Sequence, residues 1–327
     1  MTNYISGQKV VQLGEGTAWA TNVAPTLEMS GIDSLTLAPS IQNQVVRAFR
    51  GGIVPGRDVI TPRHEVDGSS IGGFVIYEQI PYWINMLQFA TEGLTRTWSA
   101  PTTAQVDPDL TQLVVGHAGA TYGVTSATAK DMTFSWKWGE PLRFSMNLMG
   151  YAVTDDALAV LNETASASLT YALASECVTN IDVVTALGDT PATNVMGGTI
   201  NINPNRQYLK RSSSLYPAGV FDAPYWDVTG SLILEADATS IALADAVVAG
   251  ASRRVFSIVF TNAAQTLTFN ISALIKVPSL FTADGELETI DLQWDMIEEG
   301  DFTNDPTGEI DGTFQMISVT ADADLWA

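Results

Sequence analysis

The residues from which enzymes and metal centres are usually built are nearly missing from this sequence. Its 327 residues include one cysteine, Cys177, and two histidines, His64 and His117. A lone thiol can neither close an intramolecular disulfide nor furnish a cysteine-rich metal site, so Cys177 reads as a small buried residue. His64, between Arg63 and Glu65, reads as a solvated or interface histidine. His117, after Val114-Val115-Gly116, reads as a turn residue. No Gly-x-Ser-x-Gly elbow, Walker loop, dinucleotide fingerprint or His-Glu-x-x-His pair is present, so neither an active site nor a cofactor is expected. Long apolar runs are missing as well. Nothing approaches the ~20 residues of a membrane helix, and Met1 to Gly14 lacks the basic start and apolar stretch of a signal peptide. A soluble protein made in the cytoplasm is the expectation. Bases are scarce too: 15 Lys and Arg face 36 Asp and Glu, a net charge of -21, which repels phosphate backbones and argues against a grip on nucleic acid.

What charge there is has been sorted along the chain. No Lys or Arg follows Lys276, whereas thirteen acids run from Asp284 to Asp324. Seven of the fifteen bases fall in two short stretches, Arg47, Arg50, Arg57 and Arg63 in one and Arg206, Lys210 and Arg211 in the other. Such separation suits a head-to-tail stack in which a basic loop of one copy meets an acidic face of the next. Two solvated loops are the plainer alternative. Carboxylates are too many to exclude a glycosidase-like acid pair by counting, yet nothing singles one out. The acids Asp301, Asp305, Glu309 and Asp311, with Asn304, lack the alternating register of a calcium loop, and Pro306 interrupts them.

Period-two alternation is the clearest structural signal. Met132, Phe134, Trp136 and Trp138 share one face of an expected strand, with Asp131, Thr133, Ser135 and Lys137 on the other. After the turn at Gly139-Glu140-Pro141 the alternation resumes with Leu142, Phe144, Met146 and Leu148, which predicts a hairpin. Ile290, Leu292, Trp294 and Met296 alternate with Thr289, Asp291, Gln293 and Asp295, leaving Asp291, Gln293 and Asp295 on a polar sheet face. Helical signals are short. One begins beside Pro81, with Ile80, Trp83, Ile84 and Leu87 on a face. Another has Thr239 or Ser240 as cap, Leu243, Ala244, Val247 and Val248 on a face, and Gly250 as a stop.

The order of these elements occurs twice. Thr36-Leu37-Ala38-Pro39-Ser40 resembles Asn201-Ile202-Asn203-Pro204-Asn205, and a basic stretch follows each. Glu65 to Ser69 resembles Asp227 to Ser231, and each leads into a strand and then a helix. Thr125-Ser126-Ala127 pairs with Ile271-Ser272-Ala273 ahead of the closing strands. Matches in register at offsets near 160 predict a duplicated mainly β (α+β) fold. The expected division is 1–153 for the first unit, 154–300 for the second and 301–327 for an acidic C-terminal extension, with a helical connector from Asp155 to Leu161.

A duplicated β unit with one helix, a long basic loop after its first strand and polar termini resembles the tail tube proteins of long-tailed bacteriophages, in their two-unit form. Gly31 to Pro39, Val66 to Ser69 and a helix from Pro81 to Glu92 carry most of the likeness. It implies tandem β-sandwich or barrel units, each with a flanking helix and a long loop, and no enzymatic activity. Inner sheets of neighbouring subunits would join around a lumen. Three chains would make a pseudo-sixfold ring. Rings would stack through the loop bearing Arg47, Arg50, Arg57 and Arg63, and the second basic loop carries Arg206, Lys210 and Arg211. Asp291, Gln293 and Asp295 become candidates for the lumen, where an acidic lining would let DNA pass without specific binding. The implied partners are further copies of the chain and the tail terminator, tape measure and distal tail proteins, without a membrane. The implied location is the virion tail, assembled in the host cytoplasm. An extracellular or surface-layer β-sandwich binding protein and a two-carboxylate β-rich hydrolase are the competing readings.

Overall fold

The computed structural model describes residues 10–16, 18–48, 56–88, 90, 93–100, 110–117, 120–157, 169–183, 191–192, 195–211, 214–222, 226–250, 253–284, 287–296 and 314–320. The fold is mainly β. The first unit runs β1 (Val10–Gly16), β2 (Leu27–Met29), β3 (Ile32–Thr36), β4 (Pro39–Ala48), β5 (Gly56–Val66), β6 (Ser69–Phe74), α1 (Ile80–Asn85), β7 (Thr95–Ser99), β8 (Leu110–His117), β9 (Ala120–Lys137), β10 (Arg143–Met149) and β11 (Ala152–Asp155). The second runs β12 (Cys177–Val183), β13 (Pro191–Ala192), β14 (Val195–Asn203), β15 (Gln207–Leu209), β16 (Gly219–Phe221), β17 (Asp227–Glu235), α2 (Ala238–Val248), β18 (Arg253–Asn262), β19 (Gln265–Asp284), β20 (Leu287–Met296) and β21 (Phe314–Val319).

Strand pairings repeat with the order. β1 pairs with β2 and β8 as β12 pairs with β13 and β18. β3–β6–β10–β9 is matched by β14–β17–β20–β19, every pair antiparallel. The long strands β9 and β19 each serve two sheets. Their first halves pair with β8 and β18, and their second halves with β10 and β20. Ser126 sits at the change-over in β9 with φ of 53°, where the β8 register slips, a bulge that bends the strand from one sheet into the other. Only β7, which pairs with β21 of the second unit, has no counterpart among the described residues.

Antiparallel pairing of β9 with β14 joins the two units into one eight-stranded sheet, β3–β6–β10–β9–β14–β17–β20–β19. One face of this sheet is apolar and covered by the other strands and α1, and one hydrophobic cluster runs through both units. Aromatic contacts cross the seam, Phe134 on Phe269 at 5.0 Å between ring centres and Trp136 on Phe260 at 5.4 Å. Edge-on pairs of this kind add to the large apolar area that aromatic rings bury. The opposite face is polar: Thr133, Ser135, Ser145, Asn147, Thr199 and Asn201 alternate with the buried residues of their strands.

Several expectations are corrected here. Trp138 is not on the buried face: β9 ends at Lys137, the chain turns, and the indole is 71% exposed. α1 stops at Asn85 instead of running to Glu92, because inward donors capture the carbonyls of Met86 and Leu87. α2 is capped by Asp237, which exchanges hydrogen bonds with Ser240, two residues ahead of Thr239. Gly250 ends it as expected, with φ of 106°. The last part of the anticipated C-terminal extension is strand: Phe314 and Met316 are buried, and β21 pairs with β19 and β7. Asp155 belongs to β11, Asp156 and Ala157 follow it without helical structure, and residues 158–161 of the expected connector helix, like the acids from Asp301 to Asp311, lie outside the described residues.

Candidate assembly surfaces

Hairpins mark one end of the eight-stranded sheet and tight turns mark the other. At the hairpin end, β3 leads into the β4–β5 hairpin and β14 into the shorter β15–β16 hairpin. Arg47 lies in β4, and Arg57 and Arg63 lie in β5, whereas Arg50 is outside the described residues. The ladder sets Arg47 directly opposite Arg57 and Gln42 opposite Arg63. His64 is also in β5, and His117 closes β8.

Arg206 has a different role from the other bases. It is 3% exposed, inside the protein, and pairs with Asp222 through Nε at 2.6 Å and Nη2 at 2.9 Å. Nη1 donates to the carbonyls of Met86 (3.0 Å) and Ala129 (2.5 Å) and to Thr128 Oγ1 (2.7 Å), while Nη2 also reaches the Leu87 carbonyl (2.5 Å). A guanidinium is suited to this because its donors spread in a fixed planar fork. Around it the β15–β16 segment is pinned to the first unit: Tyr208 donates to the Val66 carbonyl at 2.6 Å, Tyr216 stacks on Tyr151, and Trp19 donates to the Pro217 carbonyl. Burial pushes the Tyr208 hydroxyl up to about 12. Of the second basic loop, Lys210 pairs with the buried Glu65 at 3.2 Å, and Arg211 is exposed. The sequence offered no sign of this clamp, since a basic cluster looks the same whether solvated or buried.

The turn end is acidic. Asp33, Glu78, Glu140, Glu176, Glu235, Asp237 and Glu288 gather there against Lys137 and Arg143, and Arg143 is already taken by Asp33 and lies over Phe74. On the polar face, Gln293 is exposed and Asp291 and Asp295 are partly so, opposite the buried Ile290, Leu292 and Trp294. Asp295 accepts from Lys276 at 2.5 Å. Cys177 sits partly buried at the head of β12, its thiol raised to about 11 by desolvation. Among the described residues no three potential ligands come together as a metal site.

Two strand edges of the eight-stranded sheet are open. β3 pairs only with β6, and β19 beyond Leu274 pairs only with β20, among the described residues. Setting Thr125–Ala127 on Ile271–Ala273 places Met132–Lys137, the β9 side of the seam, on residues 278–283. Setting Thr36–Pro39 on Asn201–Pro204 places Gly197–Ile202, the β14 side, on residues 32–37. The two open edges are therefore the same kind of surface as the two that already meet inside the chain. Pro278 lies inside β19 on its open edge, and proline within sheets is confined largely to edge strands.

No curated protein matches the sequence. A duplicated sandwich with complementary open edges and hairpins at one end is accompanied by a match to the family model described as phage tail tube protein, over residues 8–322. The chain belongs to the phage tail tube protein family, structural components of the virion tail.

Proposed function

We propose that three copies close into a ring through their open edges and that rings stack into the tube through which the genome leaves. The β9–β14 seam carries this reading, because one chain already contains the joint that a ring must repeat. Residues 278–283 of one copy add antiparallel to residues 32–37 of the next, with Leu37 opposite Pro278 and Thr36 opposite Ser279. Closure removes the exposed sheet edges that otherwise invite aggregation.

Strand count supports the copy number. Eight strands contribute to the wall from each chain. At ~4.8 Å per strand, two chains would give a wall only about 24 Å across before side chains are added, and three chains about 37 Å, widening with strand tilt. Three is the smallest number that leaves room for a DNA duplex. The polar face then lines the lumen with hydroxyls and amides, and ion pairs such as Lys276–Asp295 and Arg143–Asp33 hold its cations away from phosphates.

A covalent trap tests the ring. In a Cys177→Ser background, Thr36→Cys and Ser279→Cys would face each other across the joint at ~5 Å between Cα atoms, within disulfide range. Oxidation of assembled protein should give a ladder of linked chains that ends at three. A ladder that ends at six, or assembled rings that do not cross-link, would refute the arrangement.

A further inference from the structure

We infer that Pro278 fixes the register in which copies join, so that assembly closes as a ring instead of running on as a helical ribbon; this rests on the proposed ring. The joint inside the chain differs from the edge left open. The β9–β14 seam holds one register over six pairs, from Lys137–Gly197 to Met132–Ile202, and contains no proline. On the open edge Pro278 is exposed, and the β19–β20 register shifts on either side of Ser279. Within a chain, connectivity and the Arg206 clamp set the seam. Separate chains have no covalent tie, so their register must be written into the edges themselves.

The seam shows which way Pro278 faces. The Trp138 backbone N–H donates across it to the Met196 carbonyl, and with period two the backbones of Trp136, Phe134 and Met132 point the same way. Pro278 takes the place of Met132, so its nitrogen, which carries no hydrogen, faces the next copy. In the proposed register this gap lies opposite Leu37, beyond the end of β3 at Thr36, where water reaches the carbonyl left over. A slip of two residues keeps each β3 side chain on its own face and still pairs all of β3, now with residues 277–281, so patterning alone does not forbid it. That slip brings Pro278 opposite Leu35, inside β3, and an enclosed bond left unmade is worth roughly tenfold in population. A slip the other way sets Pro278 opposite Pro39 and runs β3 past Asp284, where β19 ends. Register decides closure. Two residues displace a neighbour by about 7 Å along the strands, and three such joints by about 20 Å. The third copy then misses the first, and the same contact builds an open helix.

Cross-linking reads the register directly. In a Cys177→Ser background, Thr36→Cys with Ser279→Cys reports the proposed register, and Ser34→Cys with Ser279→Cys reports the slipped one. Adding Pro278→Thr should raise the link between positions 34 and 279 about tenfold. Without the cysteine changes, Pro278→Thr should add species of more than three chains to the native mass spectrum. Its melting temperature should stay within a degree or two of the parent, because Pro278 is exposed. Pro278→Ala, which restores the N–H with the least new side chain, should act in the same direction. Rings of Pro278→Thr that stop at three with the 34–279 link unchanged, or aggregation without a change of register, would overturn the assignment and leave the ring intact. Parent protein that forms no rings would overturn both.

Discussion

Replacing Arg206 with Met removes a buried guanidinium that pairs with Asp222 in its own unit and hydrogen-bonds neutral groups of the first unit. Five groups lose a hydrogen bond at once, the carboxylate of Asp222, the Thr128 hydroxyl and the carbonyls of Met86, Leu87 and Ala129, although the Met86 carbonyl keeps those from Ala129 N–H and the Thr128 hydroxyl. Asp222 is itself only 8% exposed, so its charge is stranded in the interior. Breaking one side of a buried pair costs about 3–5 kcal/mol. With an unfolding entropy of roughly 2.1 cal/mol/K per residue, a chain this long loses about 6 °C in Tm for a 4 kcal/mol loss. The size separates this from a surface pair, which would be worth at most about 1 kcal/mol. Thermal melts followed by circular dichroism, at concentrations too low for association to add stability, measure it directly. The double variant Arg206→Met with Asp222→Leu should recover part of the loss, a coupling of about 1–3 kcal/mol, with the arginine's hydrogen bonds to the carbonyls still missing. A shift of under about 1.5 °C in the single variant, or strict additivity in the cycle, would refute the clamp.

Deleting Arg50 to Asp58, or replacing Arg47, Arg50 and Arg57 with Glu, should leave folded rings that do not stack; tubes of normal length in negative-stain images would show that another element couples them. Because the folded Tyr208 hydroxyl is raised to about 12 from 10.0, its contribution is full below pH 10 and is lost as pH rises towards 12. Tyr208→Phe should flatten the fall in stability over that window, as measured by denaturant unfolding at fixed pH.

The repeat and the β9–β10 hairpin were legible in the sequence because period-two alternation reports burial directly. The same pattern overran at Trp138, since alternation does not show where a strand ends and its turn begins. Phe314 to Val319 carries a clear alternation, Phe-Gln-Met-Ile-Ser-Val, but it lies in a region whose acid count suggested a tail. The length of α1 could not be read locally: it is set by an arginine about 120 residues away in the chain. Burial of Arg206 was equally hidden, because composition separates bases from acids and not buried bases from solvated ones. The open edges of β3 and β19 became visible only through pairings that are missing, which no local pattern records.

The pairing of β7 with β21 ties the first unit to the last described strand. During synthesis, β7 must wait for more than two hundred residues before its partner emerges from the ribosome. At first the first unit presents the edges of β3, β7 and β9 unpaired, and the β3 and β9 edges are by symmetry complementary to each other. The delay makes premature joining of nascent first units a hazard that order of synthesis alone does not remove. β14 relieves it by covering β9 about sixty residues after β9 is complete, well before β21 arrives. In the proposed ring, half of the joints form within single chains, at an effective concentration that no dilution in the cell can lower.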